Sequence, residues 1–328
     1  MEQISVVVPT YQSAAYLAET LSSIQAQTHS QLEILVVDDG SSDDTAALVR
    51  KLSLADKRIQ FVPLEHQGAP GHCRNAGYQK ASSAYVIFFD SDDIMHPTML
   101  EEMYRTMTAK SVDLVIGNVQ YRNMETGAPL PSMMEWFFEQ EHAQFTDLFR
   151  INPFPCNKLY RKSFLEHTGV TYLCGVFNQD LGYFISNLCY EPTFAVSSKA
   201  MMEYMVRVGS ITTSAKTRKK HIDILQVFDQ VFATWEKTGQ QQHVKSGILH
   251  IFIRSMIFKA SFFDLLQETA YIDQIREYLI RRCPNWYQRP EFKEQFTKPK
   301  RIYNRLILQY RLYGLVGRYK KWKGTGIS

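Results

Sequence analysis

The sequence predicts an α/β fold: a mostly parallel sheet with flanking helices, followed by a helical C-terminal region. Three observations carry this reading. Short apolar, β-branched runs alternate with segments of helical period in the N-terminal part of the chain, the spacing of βαβ units. Each of three such runs ends in polar residues: Thr10, Asp38-Asp39, and Asp90-Ser91-Asp92-Asp93. Beyond Ala215 the pattern turns helical throughout, which sets an expected division into 1–215 and 216–328.

Taken in order, Ile4 to Val8 reads as a buried strand that stops at Pro9, because proline cannot donate to a ladder. Leu17, Leu21 and Ile24 recur at helical spacing. Leu32 to Val37 is a second strand, Thr45 to Leu52 a helix and Arg58 to Val62 a third strand. A glycine-rich stretch from Gly68 leads into a helix expected from about Arg74 to Ala81. Tyr85 to Phe89 is the next strand, and Asp113 to Gly117 another. Residues 122–141 read as a loop-rich excursion. Phe164 to Thr168 and Asp180 to Leu188 read as helices, and Met201 to Val208 as a strand.

The three carboxylates of Asp90, Asp92 and Asp93 set the chemistry. Acids this close repel one another and are costly to desolvate unpaired. Ligands of parallel sheets bind outside the carboxyl ends of the strands, where a divalent cation can neutralise such a cluster. Hard oxygen donors suit magnesium or manganese, ions that commonly also hold substrate phosphates. An acidic turn leading into a helix cap remains the plainer alternative. No G-x-G-x-x-G follows the first strand and no Walker-type motif occurs, which argues against a dinucleotide cofactor and a P-loop nucleotide hydrolase.

Five scattered cysteines, with no metal-ligand spacing, read as reduced thiols of a cytoplasmic protein, and no signal peptide is expected at the N-terminus. The most apolar stretch, Gly247 to Leu266, carries charges at helical spacing and reads as a packed helix. The formal net charge is +4, yet nine bases and no acid follow Glu294. This basic, aromatic tail over 298–323 is expected to be helical. It suits either an anionic membrane surface, giving a peripheral location at the inner face of the cell membrane, or packing on the protein. Nucleic acid is not an expected partner, since no recognised binding module is present.

Four motifs in order add a resemblance. Val-Val-Val-Pro-Thr-Tyr ending at Tyr11, Val-Val-Asp-Asp-Gly-Ser around Asp39, Arg74-Asn75-Ala76-Gly77, and Phe-Phe-Asp-Ser-Asp-Asp from Phe88 resemble family 2 glycosyltransferases of the GT-A fold. Asn157-Lys158-Leu159-Tyr160 and Gln179-Asp180 extend the likeness to about residue 210. The resemblance implies inverting, metal-dependent transfer of a sugar from a nucleoside diphosphate, typically uridine diphosphate, to a glycan or lipid-linked acceptor in bacterial cell-surface polysaccharide synthesis. It places Pro9 and Tyr11 around the nucleobase and Asp39 as the carboxylate accepting from it. Arg74 lies near the nucleotide, Asp90 near the ribose, Asp92 on the metal, and Asp180 serves as catalytic base. His66 stands where relatives often carry Asn, and Gln179 where many carry Glu. Structural readings stay open beside these roles: Asp180 as a helix cap, Asp39 as a turn residue, Arg74 as an ion-pair partner. Lys158 and Arg207 are further bases that could face a diphosphate. From other classes, a non-catalytic nucleotide-sugar-binding subunit and a sugar nucleotidyltransferase are the alternatives.

Overall fold

The computed structural model describes residues 1–132, 134–140, 143–206, 220–239, 241–261, 263–264, 267–314 and 316. The chain separates into two compact units, Met1–Ser210 and Ile211–Ser328.

The first unit is built on nine strands among the described residues: β1 (Ile4–Thr10), β2 (Leu32–Asp38), β3 (Ile59–Pro63), β4 (Tyr85–Phe88), β5 (Ile94–Met95), β6 (Leu114–Asn123), β7 (Pro129–Leu130), β8 (Lys158–Arg161) and β9 (Phe194–Val206). They form one sheet in the order β3-β2-β1-β4-β8-β6-β9-β5, with β7 paired to β6. The half β3-β2-β1-β4 is parallel. The other half is mixed: β8 runs antiparallel to both β4 and β6, while β6 and β9 are parallel. The helices are α1 (Leu17–Gln25), α2 (Thr45–Ala55), α3 (Pro70–Lys80), α4 (Met99–Lys110), α5 (Glu135–Phe138), α6 (Lys162–Thr168) and α7 (Gln179–Leu188).

Every residue of β1 and β2 is buried, as expected of strands covered on both faces. Ile4, Val6 and Val8 join Ile34 and Val36 in a core closed by Leu17, Leu21 and Ile24 of α1 and Met99, Met103 and Met107 of α4. The opposite face carries Val7 and Val37, and α3 lies directly on them. Gly77 makes that approach possible, because an added Cβ would run into Val7 Cγ1 and come within 3.0 Å of Val37 Cγ2. Gly77→Ala should therefore overpack this layer and cost about 1–3 kcal/mol. A melting temperature several degrees lower, measured by calorimetry, is the expected result.

Several elements differ from expectation. β1 does not stop at Pro9 but continues to Thr10, with Pro9 in register with Val37. Odd-numbered residues of β1 turn their backbone groups towards β4, as the Phe89 N–H donating to the Val7 carbonyl shows. By Pro9 the strand β4 has ended, so the missing N–H breaks no ladder bond. Helix α3 starts at Pro70 rather than near Arg74, with proline in its first turn, where its absent N–H is harmless. Strands β5 and β8 and helix α4 were not expected at all. The excursion over 122–141 contains the end of β6, β7 and α5.

The second unit is helical: α8 (Ile224–Lys237), α9 (Gln242–Ala260), α10 (Thr269–Arg282), α11 (Pro290–Gln295) and α12 (Lys298–Leu308). Phe228, Phe232, Phe252 and Tyr278 pack edge-on at its centre. The expected single helix through the tail is corrected. Helix α12 ends at Leu308, and Arg311 adopts a left-handed φ of 55°. Arg311 and Tyr313 then both bind Asp273 of α10, at 2.6 and 2.8 Å. The buried face is Asn304, Ile307 and Leu308, whereas Ile302 and Tyr310 are exposed. Residues 317–323 of the expected tail lie outside the described residues. Among the described residues, no helix is long and apolar enough to cross a membrane.

Candidate active site

The polar ends of β1, β2 and β4 meet at one edge of the parallel half-sheet, because the three strands point the same way. At the end of β2, Asp39 is buried and its N–H donates to the Thr10 carbonyl at 2.9 Å. Its two carboxylate oxygens each accept a backbone N–H, from Gln67 and Gly68, both at 2.9 Å. His66 closes this corner. Its Nδ1 lies 2.9 Å from the Asp39 carbonyl oxygen and 3.1 Å from Oδ2. The imidazole stacks on the Tyr11 ring at 4.4 Å between centroids, and Tyr11 is itself 43% exposed. The neighbouring Asp38 is occupied locally, accepting the N–H and hydroxyl of Ser41.

The acidic turn after β4 is fixed from below. Ser91 is held through its carbonyl by the Thr20 hydroxyl at 2.8 Å, and its own hydroxyl lies 3.1 Å from that of Ser13. Asp90 is bound by Arg74 of α3. Arg74 is almost wholly buried, and its Nε and Nη1 lack hydrogen-bond partners among the described residues. Burial works against the guanidinium charge, but the neighbouring groups together, Asp90 foremost, hold the pKa above its ordinary value. Arg74 also lies 5.3 Å over the ring of Tyr172, which stacks on Tyr183 of α7 at 3.8 Å and 7°.

Asp93 is the innermost acid, 1% exposed, and accepts the Met205 N–H at 3.1 Å. Burial, then the charges of Asp92 and Asp90, push its pKa well above the carboxylate range. Donor atoms of Asp90, Asp93 and Cys156 lie within 4.8 Å of one another. Cys156 is a poor ligand in this group, because burial raises its thiol pKa well above normal and keeps it protonated. The remaining donors are hard carboxylate oxygens whose mutual repulsion a divalent cation relieves, so the set fits magnesium or manganese. Asp92 is not in this set; it is partly exposed in the same turn, as is Asp90.

Asp180 lies in the first turn of α7, after Asn178 with a left-handed φ of 61°. Asn178 occupies the cap position, so Asp180 is not the helix cap. Its Oδ1 accepts the Leu181 N–H at 3.0 Å. Burial raises its pKa, opposed by Arg74 and reinforced by Asp90. The start of α7 lies against α3, where a Cβ added at Gly71 would come within 3.3 Å of Gln179 Oε1.

Of the two bases left open by the sequence, Lys158 is occupied by local hydrogen bonds. It is fully buried, with its ammonium donating to the carbonyls of Asn152 and Phe154 and to Asn157 Oδ1, and desolvation brings its pKa down to about 7. Arg207 lies outside the described residues. Asp93 stood in the acidic run read from the sequence and His66 was singled out as a departure from the family pattern, whereas Cys156 and Tyr172 were missed and carried no sequence signal.

Comparison with known proteins agrees with this architecture. The family described as "Glycosyl transferase family 2" matches residues 5–169. Curated relatives include glycosyltransferase GlyG of Streptococcus pneumoniae, 38% identical over 117 residues (36% of this chain, 39% of GlyG), and putative glycosyltransferase EpsH of Bacillus subtilis, 32% identical over 167 residues (50% and 48%). The matched part spans less than half the length of each of these two. Succinoglycan biosynthesis protein ExoO of Rhizobium meliloti is 28% identical over 243 residues, 70% of this chain and 67% of ExoO. Among solved structures, S. aureus TarS 1–349 in complex with UDP aligns at TM-score 0.70 and 19% identity, over 94% of this chain and 91% of that one. A Pyrobaculum calidifontis mannosyltransferase in complex with GDP-Man and Mn2+ aligns at 0.57 and 16%, over 97% and 87%. With the family matched over half its length and the mixed sheet and flanking helices shared with these folds, the chain belongs to glycosyl transferase family 2 and carries its GT-A fold.

Proposed function

We propose that the chain transfers a sugar, with inversion, from a uridine diphosphate donor to a hydroxyl of a glycan or lipid-linked acceptor in cell-surface polysaccharide synthesis. The observation that carries this reading is a set of three acidic groups in different states, Asp39 and Asp90 at one sheet edge and Asp180 at the start of α7. Asp39 is held by two backbone N–H groups. Asp90 is neutralised by buried Arg74. Asp180 has its proton affinity raised by burial.

Each state suits one task. The exposed Tyr11–His66 stack offers an aromatic face for a base, with Pro9 two residues earlier at the end of β1 and the fixed Asp39 carboxylate as acceptor for a base N–H. Arg74 orients Asp90 and adds positive charge beside the diphosphate. Asp90 and Asp92 would hold a divalent ion, which would supply charge neutralisation for the leaving diphosphate. Asp180, with its raised affinity for a proton, takes one from the acceptor hydroxyl as attack proceeds. A single displacement needs no second nucleophilic carboxylate. The UDP and UDP-GlcNAc bound to TarS, and the role in succinoglycan synthesis named for ExoO, support the donor and the pathway class. For the tail, exposed Lys298, Lys300, Ile302 and Tyr310 support contact with an anionic membrane surface.

Thermal-shift measurements with a panel of nucleotide-sugars, with and without manganese, test the donor. A true donor at a hundredfold excess over its dissociation constant stabilises the fold by about 2.7 kcal/mol. The expected result is a shift for uridine donors that requires the metal. Equal shifts without metal, or a preference for another nucleotide, would overturn that part of the reading.

A further inference from the structure

Asn75 has no role in the site as described, yet its side chain clamps a residue far away in the sequence. Its Nδ2 donates to the Tyr172 carbonyl at 2.8 Å, and its Oδ1 accepts the Tyr172 N–H at 2.9 Å. One carboxamide thus satisfies both backbone groups of a residue 97 positions away, as a neighbouring strand would. One turn earlier on α3, Gly71 lets the chain come closer still, since an added Cβ would collide with the Leu173 carbonyl oxygen. The clamped residue leads to Asp180 in two ways. Along the chain, Tyr172 precedes it by eight residues. Through space, the Tyr172 ring stacks on Tyr183, in the same helix as Asp180. The residue before Asn75 is Arg74, which holds Asp90.

We infer that Asn75 is a positioning residue: adjacent residues of α3 fix both sides of the reaction, Arg74 the diphosphate side and Asn75 the segment that carries the base. The spacing between Asp180 and the donor is then set by one rigid helix rather than by a loop. A displacement of about 1 Å at a reacting group costs on the order of 10²-fold in rate, so loss of the clamp should appear in turnover before it appears in binding. This role rests on the transferase reading of Asp180.

The test compares wild type with Asn75→Ala and Asn75→Asp. The aspartate can still accept the Tyr172 N–H but cannot donate to the carbonyl when ionised. Hydrogen exchange followed by mass spectrometry reports the clamp without any assay of activity. Faster exchange is expected over 170–178 in both variants, larger for alanine, with the β1 and β2 peptides unchanged. Steady-state kinetics should show kcat reduced by about 10–10²-fold in Asn75→Ala, less in Asn75→Asp, with the dissociation constant for UDP within about twofold of wild type. Unchanged exchange over 170–178, or unchanged kcat despite faster exchange, would overturn the inference. So would a loss of UDP affinity matching the loss of kcat, which would make Asn75 a donor-binding group. Wild-type protein that transfers no sugar from any donor would sink the transferase reading instead, and the exchange data would judge the clamp alone.

Discussion

Asp180→Asn should reduce kcat by about 10²–10⁴-fold, the usual contribution of a positioned general base, while UDP binding stays intact. The substitution keeps shape and removes only the ability to take a proton. It should not weaken the fold. A carboxylate whose pKa is raised by burial is disfavoured in its ionised form in the folded protein, so near neutral pH it subtracts from stability. The variant should therefore melt at or above the wild-type temperature. The same shift fixes the pH profile. Transfer needs Asp180 deprotonated, so kcat/KM falls as pH drops through its pKa, and the acid limb lies above the ordinary carboxylate value of 3.8. Rate measurements from pH 4 to 8 should show that limb in wild type and lose it in the variant. A fully active Asp180→Asn protein would remove Asp180 from the mechanism.

Chelation of divalent metal, or Asp92→Asn, should lower transfer by about 10²-fold or more. Lewis-acid neutralisation is worth several kcal/mol in the transition state, and each 1.36 kcal/mol is tenfold in rate. Asp92 is the better target than Asp90. Asp90 pairs with buried Arg74, so Asp90→Asn would strand a buried cation and cost roughly 3–5 kcal/mol of stability, confounding the assay. Asp92 sits at the partly exposed rim, and its replacement should leave the melting temperature near wild type. Restoring manganese to chelated wild-type protein should recover activity, whereas the variant should need far more metal or stay inactive. Full activity in the presence of chelator would reject metal dependence.

Much of the parallel half-sheet was legible because its physics is local. β1, β2 and β4 are continuous apolar runs, and their polar ends declare which edge they share. The mixed half was less legible. Strand β8 has only four residues, and its antiparallel pairing with β4 and β6 depends on chain segments far away in sequence. Helix α4 has the methionines of its buried face spread among glutamates and threonines, a weaker pattern than leucine and valine provide. At the site, Asp39, Arg74, Asp90 and Asp180 announced themselves as charged residues at strand ends or a helix start. Lys158 misled, because a lysine beside a motif looks like a phosphate ligand until the surrounding carbonyls are known. Tyr172 was silent for the opposite reason, and His66 was visible only as a departure from the family pattern: their parts depend on ring stacking, which no spacing rule encodes.

The sheet's uneven rim has a further consequence. Strand β4 ends at Phe88, opposite Val7, whereas β1 and β2 run on together to Thr10 and Asp38. Three extra residues at about 3.3 Å each make a ledge of roughly 10 Å. A molecule resting there would have main chain as a wall along one side and the acid-bearing turn ahead of it. Lengthening β4 to level the ledge should crowd out such a guest even with every acid and base in place, because the recess is a property of where backbone stops.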